Sequence, residues 1–278
     1  MARKRKSSSQ ASTKFYDFKF KSLSELSNFI DLTPAKGIFE NAAYLASCDE
    51  SEYRAAFTGT KSLNEAKELM LGGWHDGAKS VAAYMAKSAA GHKGTAPAIY
   101  NSVIGFAPCV PAYLSGLPLN MYNQKQAANN KRIISITYNI AVDFKVSADD
   151  IKQTSAKLFN VIVGLEKQGI STELYICSIA KGCSEQIFLS ACIKQAGRAF
   201  NLLSAVYPFV HPSMVRRQYF AIVERAGVKL KGWLSSYGSP VVATTVEECK
   251  RVGIPAENVF SYYSLRGKSE KEIAEMLK

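Results

Sequence analysis

The stretch from Ile133 to Ala180 constrains the fold more than any other part of the chain. Ile133 to Val142 (IISITYNIAV) is β-branched and nearly continuous in apolar character, the pattern of a strand covered on both faces. Ser147 then caps a helix from Ala148. Asp149 and Asp150 stand in its first turn, where the helix dipole favours negative charge. Ile151, Leu158, Phe159, Ile162 and Leu165 make its apolar face, and Gly169 stops it. Thr172 to Ala180 (TELYICSIA) reads as a second strand. Strand, long helix and strand at this spacing predict a βαβ unit with two parallel strands.

Downstream the alternation continues. Ile187 to Ile193 reads as a third strand and Arg198 to Val206 as a helix. Pro212 opens another helix that ends at Gly227. Val241-Val242, a helix from Val246, a strand from Asn258 to Tyr263 and a terminal helix from Ser269 complete the pattern. Such alternation predicts an α/β fold, with a Rossmann-like three-layer domain over residues 129–278. Residues 15–128 read as an α+β N-terminal region. Phe15, Phe18 and Phe20 lead as a strand into the capped helix of Ser22-Leu23-Ser24-Glu25. In Tyr53 to Gly77, Thr60 or Ser62 stands at a capping distance before Glu65. A helical run of Leu63, Ala66, Leu69 and Met70 follows and stops at Gly72-Gly73, before Trp74. The next helix runs to about Ala90. Ile99 to Ala107 reads as a strand and Pro111 as the first turn of a short helix ending at Gly116. The polar, Asn-rich residues 123–132 are the expected boundary.

Charge divides the chain differently. Residues 1–21 carry a surplus of six positive charges, residues 22–128 a deficit of one, and residues 129–278 a surplus of seven, within a net charge of +12. Residues 1–14 (MARKRKSSSQASTK) have nothing to bury and read as a disordered basic arm. This asymmetry points to a polyanionic partner, DNA or RNA, because phosphate contacts release counterions whatever the sequence. No apolar run is long enough to span a bilayer, and Pro97, Pro108, Pro111 and Pro118 interrupt the most apolar stretch. The basic N-terminus lacks the apolar core of a secretory signal, so an intracellular protein with no membrane partner is expected. Six cysteines without a CxxC pair, and three scattered histidines, predict reduced thiols and no metal site.

Catalytic chemistry has little support. GxGxxG and GxxxxGK[ST] are both missing, so no nucleotide cofactor is expected. Asp143, beyond the first strand, reads as a loop or capping acid. His211, in YPFVHPSMVRR, has no evident nucleophile or acid beside it, and His75 and Asp76 would not face each other on a helix. The basic residues are the stronger candidates. Arg3, Lys4, Arg5 and Lys6 in the arm, with Lys131, Arg132, Arg198, Arg216, Arg217, Arg225, Lys229 and Lys231, are expected to contact nucleic acid. Tyr219, Trp233 and Tyr237 are aromatics that either stack on bases or serve the core.

Several phrases occur together in order: FKSLSELSNF, GTKSLNEAKELMLGGWHDGA, VPAYLSGLPLNM, the strand–helix–strand and HPSMVRRQYF. Over about residues 15–226 the chain thereby resembles a family of uncharacterised proteins, a domain of unknown function carried mainly by bacteriophages and mobile elements. The resemblance implies a viral or mobile-element setting, the cytoplasm of an infected bacterium or the virion, and brings no established activity or catalytic residues to transfer. The second half also resembles a degenerate von Willebrand factor A-type domain. It lacks the DxSxS pattern of the metal-binding members and has Asn139, Ala141 and Asp143 there instead. The expectation is a non-enzymatic protein that binds nucleic acid through the basic arm and the cationic α/β half. A virion-associated or assembly protein, self-associating through the apolar 99–122 segment, is the alternative.

Overall fold

The computed structural model describes residues 13–36, 45–88, 99–104, 107–124, 132–181, 185–227, 241–242 and 245–277. Its centre is a five-stranded sheet in the order β1-β7-β6-β5-β8. The strands are β1 (Lys14–Phe20), β5 (Ile133–Asn139), β6 (Ser171–Lys181), β7 (Glu185–Lys194) and β8 (Asn258–Ser261). Pairing is parallel at β1–β7, β5–β6 and β5–β8, and antiparallel only at β6–β7. The fold is therefore mixed α/β with a mostly parallel sheet. The predicted parallel pair is β5 and β6, joined by α6 (Ala148–Lys167), whose start is capped by Ser147.

Alternation along the strands explains why both faces are buried. Leu174 and Ile176 of β6, with Ile187, Leu189 and Ala191 of β7, point to the main core, and Cys177, Ile179 and Phe188 to a smaller one on the opposite face. The smaller core is closed by Cys249 and Val252 of α9 (Thr245–Val252). In that layer the buried thiols of Cys177 and Cys249 act as small apolar groups. On this face β5 carries polar residues, which are satisfied. Thr137 Oγ1 donates to Pro255 O at 2.7 Å, and Asn139 Nδ2 donates to Val241 O and Thr245 Oγ1 at 2.9 and 2.8 Å.

The main core joins both halves of the chain. It holds Phe20 of β1, Leu26 and Ile30 of α1 (Leu23–Leu32), Met70 of α3 (Leu63–Gly72) and Val81 of α4 (His75–Ser88). The same cluster takes in Phe159 of α6, Phe209 of α7 (Leu202–Val210) and Ile222 of α8 (Phe220–Arg225). The expected division at residues 128/129 therefore does not separate two cores: β1 is a strand of the main sheet, and α1, α3 and α4 pack on its helices. Past β8, α10 (Tyr262–Leu265) and the capped α11 (Glu270–Glu275) end the described chain, with Leu265 and Ile273 in the same core.

The Tyr53–Gly77 block is a junction held by close contacts. Ser62, not Thr60, caps α3 and accepts from Glu65 N at 3.0 Å. Gly77 lies under the Trp74 indole, where a Cβ would come within 2.0 Å of the ring. Gly59, with φ +75°, ends α2 (Glu52–Thr58) against His211 and Pro212.

Between α7 and α8 the chain forms a π-helix, Met214–Tyr219, where one continuous helix was expected. The expected strand over 99–107 is instead β2 (Ile99–Ser102) and β3 (Ala107–Pro108). With β4 (Met121–Gln124) they form a small antiparallel sheet in the order β2-β4-β3. α5 (Val110–Leu114) follows β3, with Pro111 in its first turn and Gly116 at φ +67° beyond its end, as predicted.

Candidate nucleic-acid interface

Because β6 and β7 are antiparallel, one end of the sheet collects the carboxyl ends of β1 and β7 and the amino ends of β5, β6 and β8, the last preceded by the exposed Glu257. Four cations meet there. Lys21 follows β1, Arg198 follows β7, Arg132 precedes β5, and Lys167 ends α6 just before β6; all four are exposed. Backbone contacts tie this end together: Ser171 N donates to Arg132 O at 3.1 Å, and Gly197 N donates to Ser171 Oγ at 2.7 Å. Among the described residues none of the four charged groups forms an ion pair with an acid.

A pocket of about 320 Å³ opens between the turns that follow β1 and β7. In open α/β sheets, the space outside the carboxyl ends of adjacent parallel strands is where ligands are commonly taken. Lys21, Ser22, Lys194, Arg198, Asn201 and Ser204 give it a polar, cationic lining, with Leu174, Ile193 and Phe200 as the apolar part. Two helices begin at its rim. Ser22 caps α1 and accepts from Glu25 N at 3.1 Å, while Asn201 caps α7 and accepts from Leu203 N at 3.0 Å. Their positive dipole ends add to the field of the side chains.

Two acids flank this lining: Glu25, in the first turn of α1, accepts from Lys21 N at 2.5 Å, and Glu166 is held from within. Glu166 accepts from Lys194 Nζ and Thr172 Oγ1 at 2.7 Å each and from Phe200 N at 2.9 Å. Lys194 is thereby an internal strut, and the exposed charges are Lys21 and Arg198. On the same wall, burial pushes the Cys192 thiol above its usual range and keeps it neutral. Together these groups can hold a phosphate at the mouth and an apolar or aromatic moiety against Phe200.

The other sequence candidates fall elsewhere. Arg217 is a correction: it is fully buried, and all five of its N–H groups are used. Nη1 donates to Ser47 O and Asp49 O at 2.9 and 2.8 Å, Nη2 to Thr60 O and Lys61 O at 2.9 and 3.1 Å, and Nε to Thr60 Oγ1 at 3.2 Å. It has no donor left for a phosphate. Arg216 donates to Phe57 O and lies over the Phe57 ring at 4.2 Å, and burial lowers its pKa. Arg225 donates to Ile30 O at 2.8 Å and Ala221 O at 3.1 Å, joining α8 to α1. Arg132 and Arg198 alone of the described candidates share the cationic end. Arg3, Lys4, Arg5, Lys6, Lys131, Lys229 and Lys231 lie outside the described residues, as do Trp233 and Tyr237. Tyr219 is in the core. Lys21, Lys167, Lys194 and Asn201 were missed. The one local signal was Lys21, poised between a strand and the S-x-x-E cap of α1.

His211 does have a neighbouring hydroxyl. Ser213 Oγ lies 2.7 Å from its Nδ1 and 2.8 Å from Tyr207 Oη. Ser213 is wholly buried, and His211 is enclosed by Trp74, edge-on at 4.5 Å, and Tyr207, stacked at 5.1 Å. Burial lowers its pKa to about 4, opposed by Glu65. The opening beside it has only about 30 Å³, room for a water-sized group. Among the described residues no group of His, Cys, Asp and Glu could hold a metal ion, and no helix is long and apolar enough to cross a membrane.

Fold and site together define a mixed α/β protein with a pocketed, cationic sheet end. The chain belongs to the family described as a domain of unknown function, DUF7192, whose model matches residues 4–278, on both sides of the expected domain boundary. No curated protein and no solved structure matches the chain.

Proposed function

We propose that this protein binds nucleic acid, DNA or RNA, without chemistry of its own, through the cationic end of its sheet and the basic arm at residues 1–14. The observation that carries the reading is the 320 Å³ pocket bordered by Lys21 and Arg198, whose charges have no acidic partner among the described residues. Two helix N-termini at the rim favour a phosphate there. Arg132 and Lys167, on the same end, extend the cationic surface so that a polyanion has several phosphates to place. Enclosure of the Ser213–His211 pair supports a binding role over hydrolysis. We further propose a phage or mobile-element setting, which the phrase resemblance favours, and a Rossmann-like scaffold, which the mostly parallel sheet favours.

Fluorescence anisotropy with single- and double-stranded DNA and RNA, over a series of salt concentrations, tests the reading. Expected is an affinity that falls steeply with salt and is lowered by removing residues 1–12, which leaves β1 whole, and, separately, by Lys21→Glu with Arg198→Glu. Binding that is undetectable with all four probes, or unchanged by salt, overturns it.

A further inference from the structure

Val110, Tyr113, Leu114 and Leu117 fall at i, i+3, i+4 and i+7, the spacing that on a packed helix marks the face turned to the core. On α5 and the turn after it, this stripe faces solvent. The four side chains, with Val103 and Ile104 after β2 and Leu119 before β4, are each 48–78% exposed, whereas Cys109 and Ala112 are the buried ones. Local bonds fix that orientation: Cys109 N donates to Asn120 O at 2.7 Å and Leu117 N to Ala112 O at 3.0 Å. Monomeric proteins seldom leave an apolar stripe of this size uncovered. A second property singles it out. Residues 94–124 contain no Asp, Glu, Lys, Arg or His, in a chain whose net charge is +12.

We infer that this face is where two copies of the chain meet. Two molecules of the same strong charge repel, and the repulsion is least where neither brings a charge. In a two-fold contact the same patch lies on both sides, so a charge near the axis would face its own sign, and a charge-free patch avoids this. A nucleic acid would call for cations at the contact, and an anionic lipid surface for Lys or Arg beside the apolar side chains; residues 94–124 supply neither. A second copy supplies a matching apolar stripe. The seven side chains expose roughly 700 Å² per copy, close to the ~800 Å² per partner of a standard interface.

The test is sedimentation velocity on the full chain after nuclease treatment and in high salt, so that bridging by nucleic acid is removed. A dimer is expected at micromolar concentration. Leu114→Lys should weaken association roughly tenfold or more, because it buries an unpaired charge in an apolar contact. Its circular dichroism and melting temperature should match those of the parent, since Leu114 faces solvent in the monomer. Leu117→Ser tests the far end of the stripe and should weaken association too. Mixing Leu114→Lys with Leu114→Glu should restore part of the affinity. A chain that stays monomeric, a dimer indifferent to these variants, or a monomer that instead binds vesicles of anionic phospholipid overturns the inference.

Discussion

Arg217 and Arg198 carry the same charge, and the chain puts them to opposite uses. Arg217 sits in the π-helix with every N–H committed to the Ser47–Lys61 segment. Arg198 stands at the sheet end, beside a pocket and without an acidic partner among the described residues. The π-helix is the most cationic phrase of the second half to read, and the sheet end the more cationic surface to meet. Spacing along the chain does not decide whether an arginine reaches solvent. The hydrogen-bond inventory around it does, and a buried guanidinium needs acceptors for all of its donors.

The largest expected effect falls on the interior side of this comparison. Arg217→Met would take this donor from the carbonyls of Ser47, Asp49 and Lys61 and leave Thr60 O with the Thr58 hydroxyl, 2.9 Å away. It would also remove the positive charge that Asp49 and Glu50 act on. A loss of about 3–5 kcal/mol is expected, read from the urea midpoint. Arg217→Lys should recover little, since an ammonium has only three donors for five acceptor contacts. A variant of unchanged stability would put Arg217 in the same class as Arg198 and dissolve the comparison.

Next in size is the response to pH. The folded His211 has a pKa of about 4, below the ~6.5 of an unfolded histidine, so between these values the unfolded chain binds more protons. The stabilisation from a neutral His211 is complete above about pH 6.5 and is lost as pH falls toward 4. The loss amounts to ~2–3 kcal/mol, diminished by whatever access water has to the ring. His211→Asn should flatten that part of the pH–stability curve while leaving the salt dependence of binding untouched. A parent curve flat from pH 7 to 4.5 would break the assignment.

Legibility followed the range of the interactions. The β5–α6–β6 unit was readable because strand pattern, Ser147 cap and Gly169 stop are all local, and they dictate a parallel pair. The fate of Arg217 was not, because its acceptors come from 156 to 170 positions earlier in the chain. Nothing in MVRRQY announces that the helix will widen there. The cationic sheet end was half legible. Arg132 and Arg198 stood out as basic residues beside strands, yet only the antiparallel β6–β7 pairing brings them together with Lys21, and strand order is not written in one sequence. The joining of β1 to β7 was invisible for the same reason, so the N-terminal residues read as a region of their own.

The sheet-end prediction separates the two arginine classes most directly. Lys21→Glu with Arg198→Glu should lower nucleic-acid affinity roughly tenfold to a hundredfold at low salt and flatten the salt dependence by about two counterions. Stability should stay within about 0.5 kcal/mol, because both side chains are exposed and unpaired among the described residues. If affinity holds, the phosphates are placed elsewhere.

The smallest effect tests the boundary case. Arg216 is neither free nor enclosed, since it lies over Phe57 at 4.2 Å and donates to that residue's carbonyl. Arg216→Ala should cost about 1 kcal/mol, the usual size of a partly desolvated cation–π contact, and Phe57→Leu a similar amount. The two losses should not add in the double variant, because they remove one shared contact. Anisotropy on Arg216→Ala then decides its class. An unchanged salt slope groups it with Arg217 as part of the frame, whereas a slope lower by about one would extend the proposed nucleic-acid surface to the π-helix.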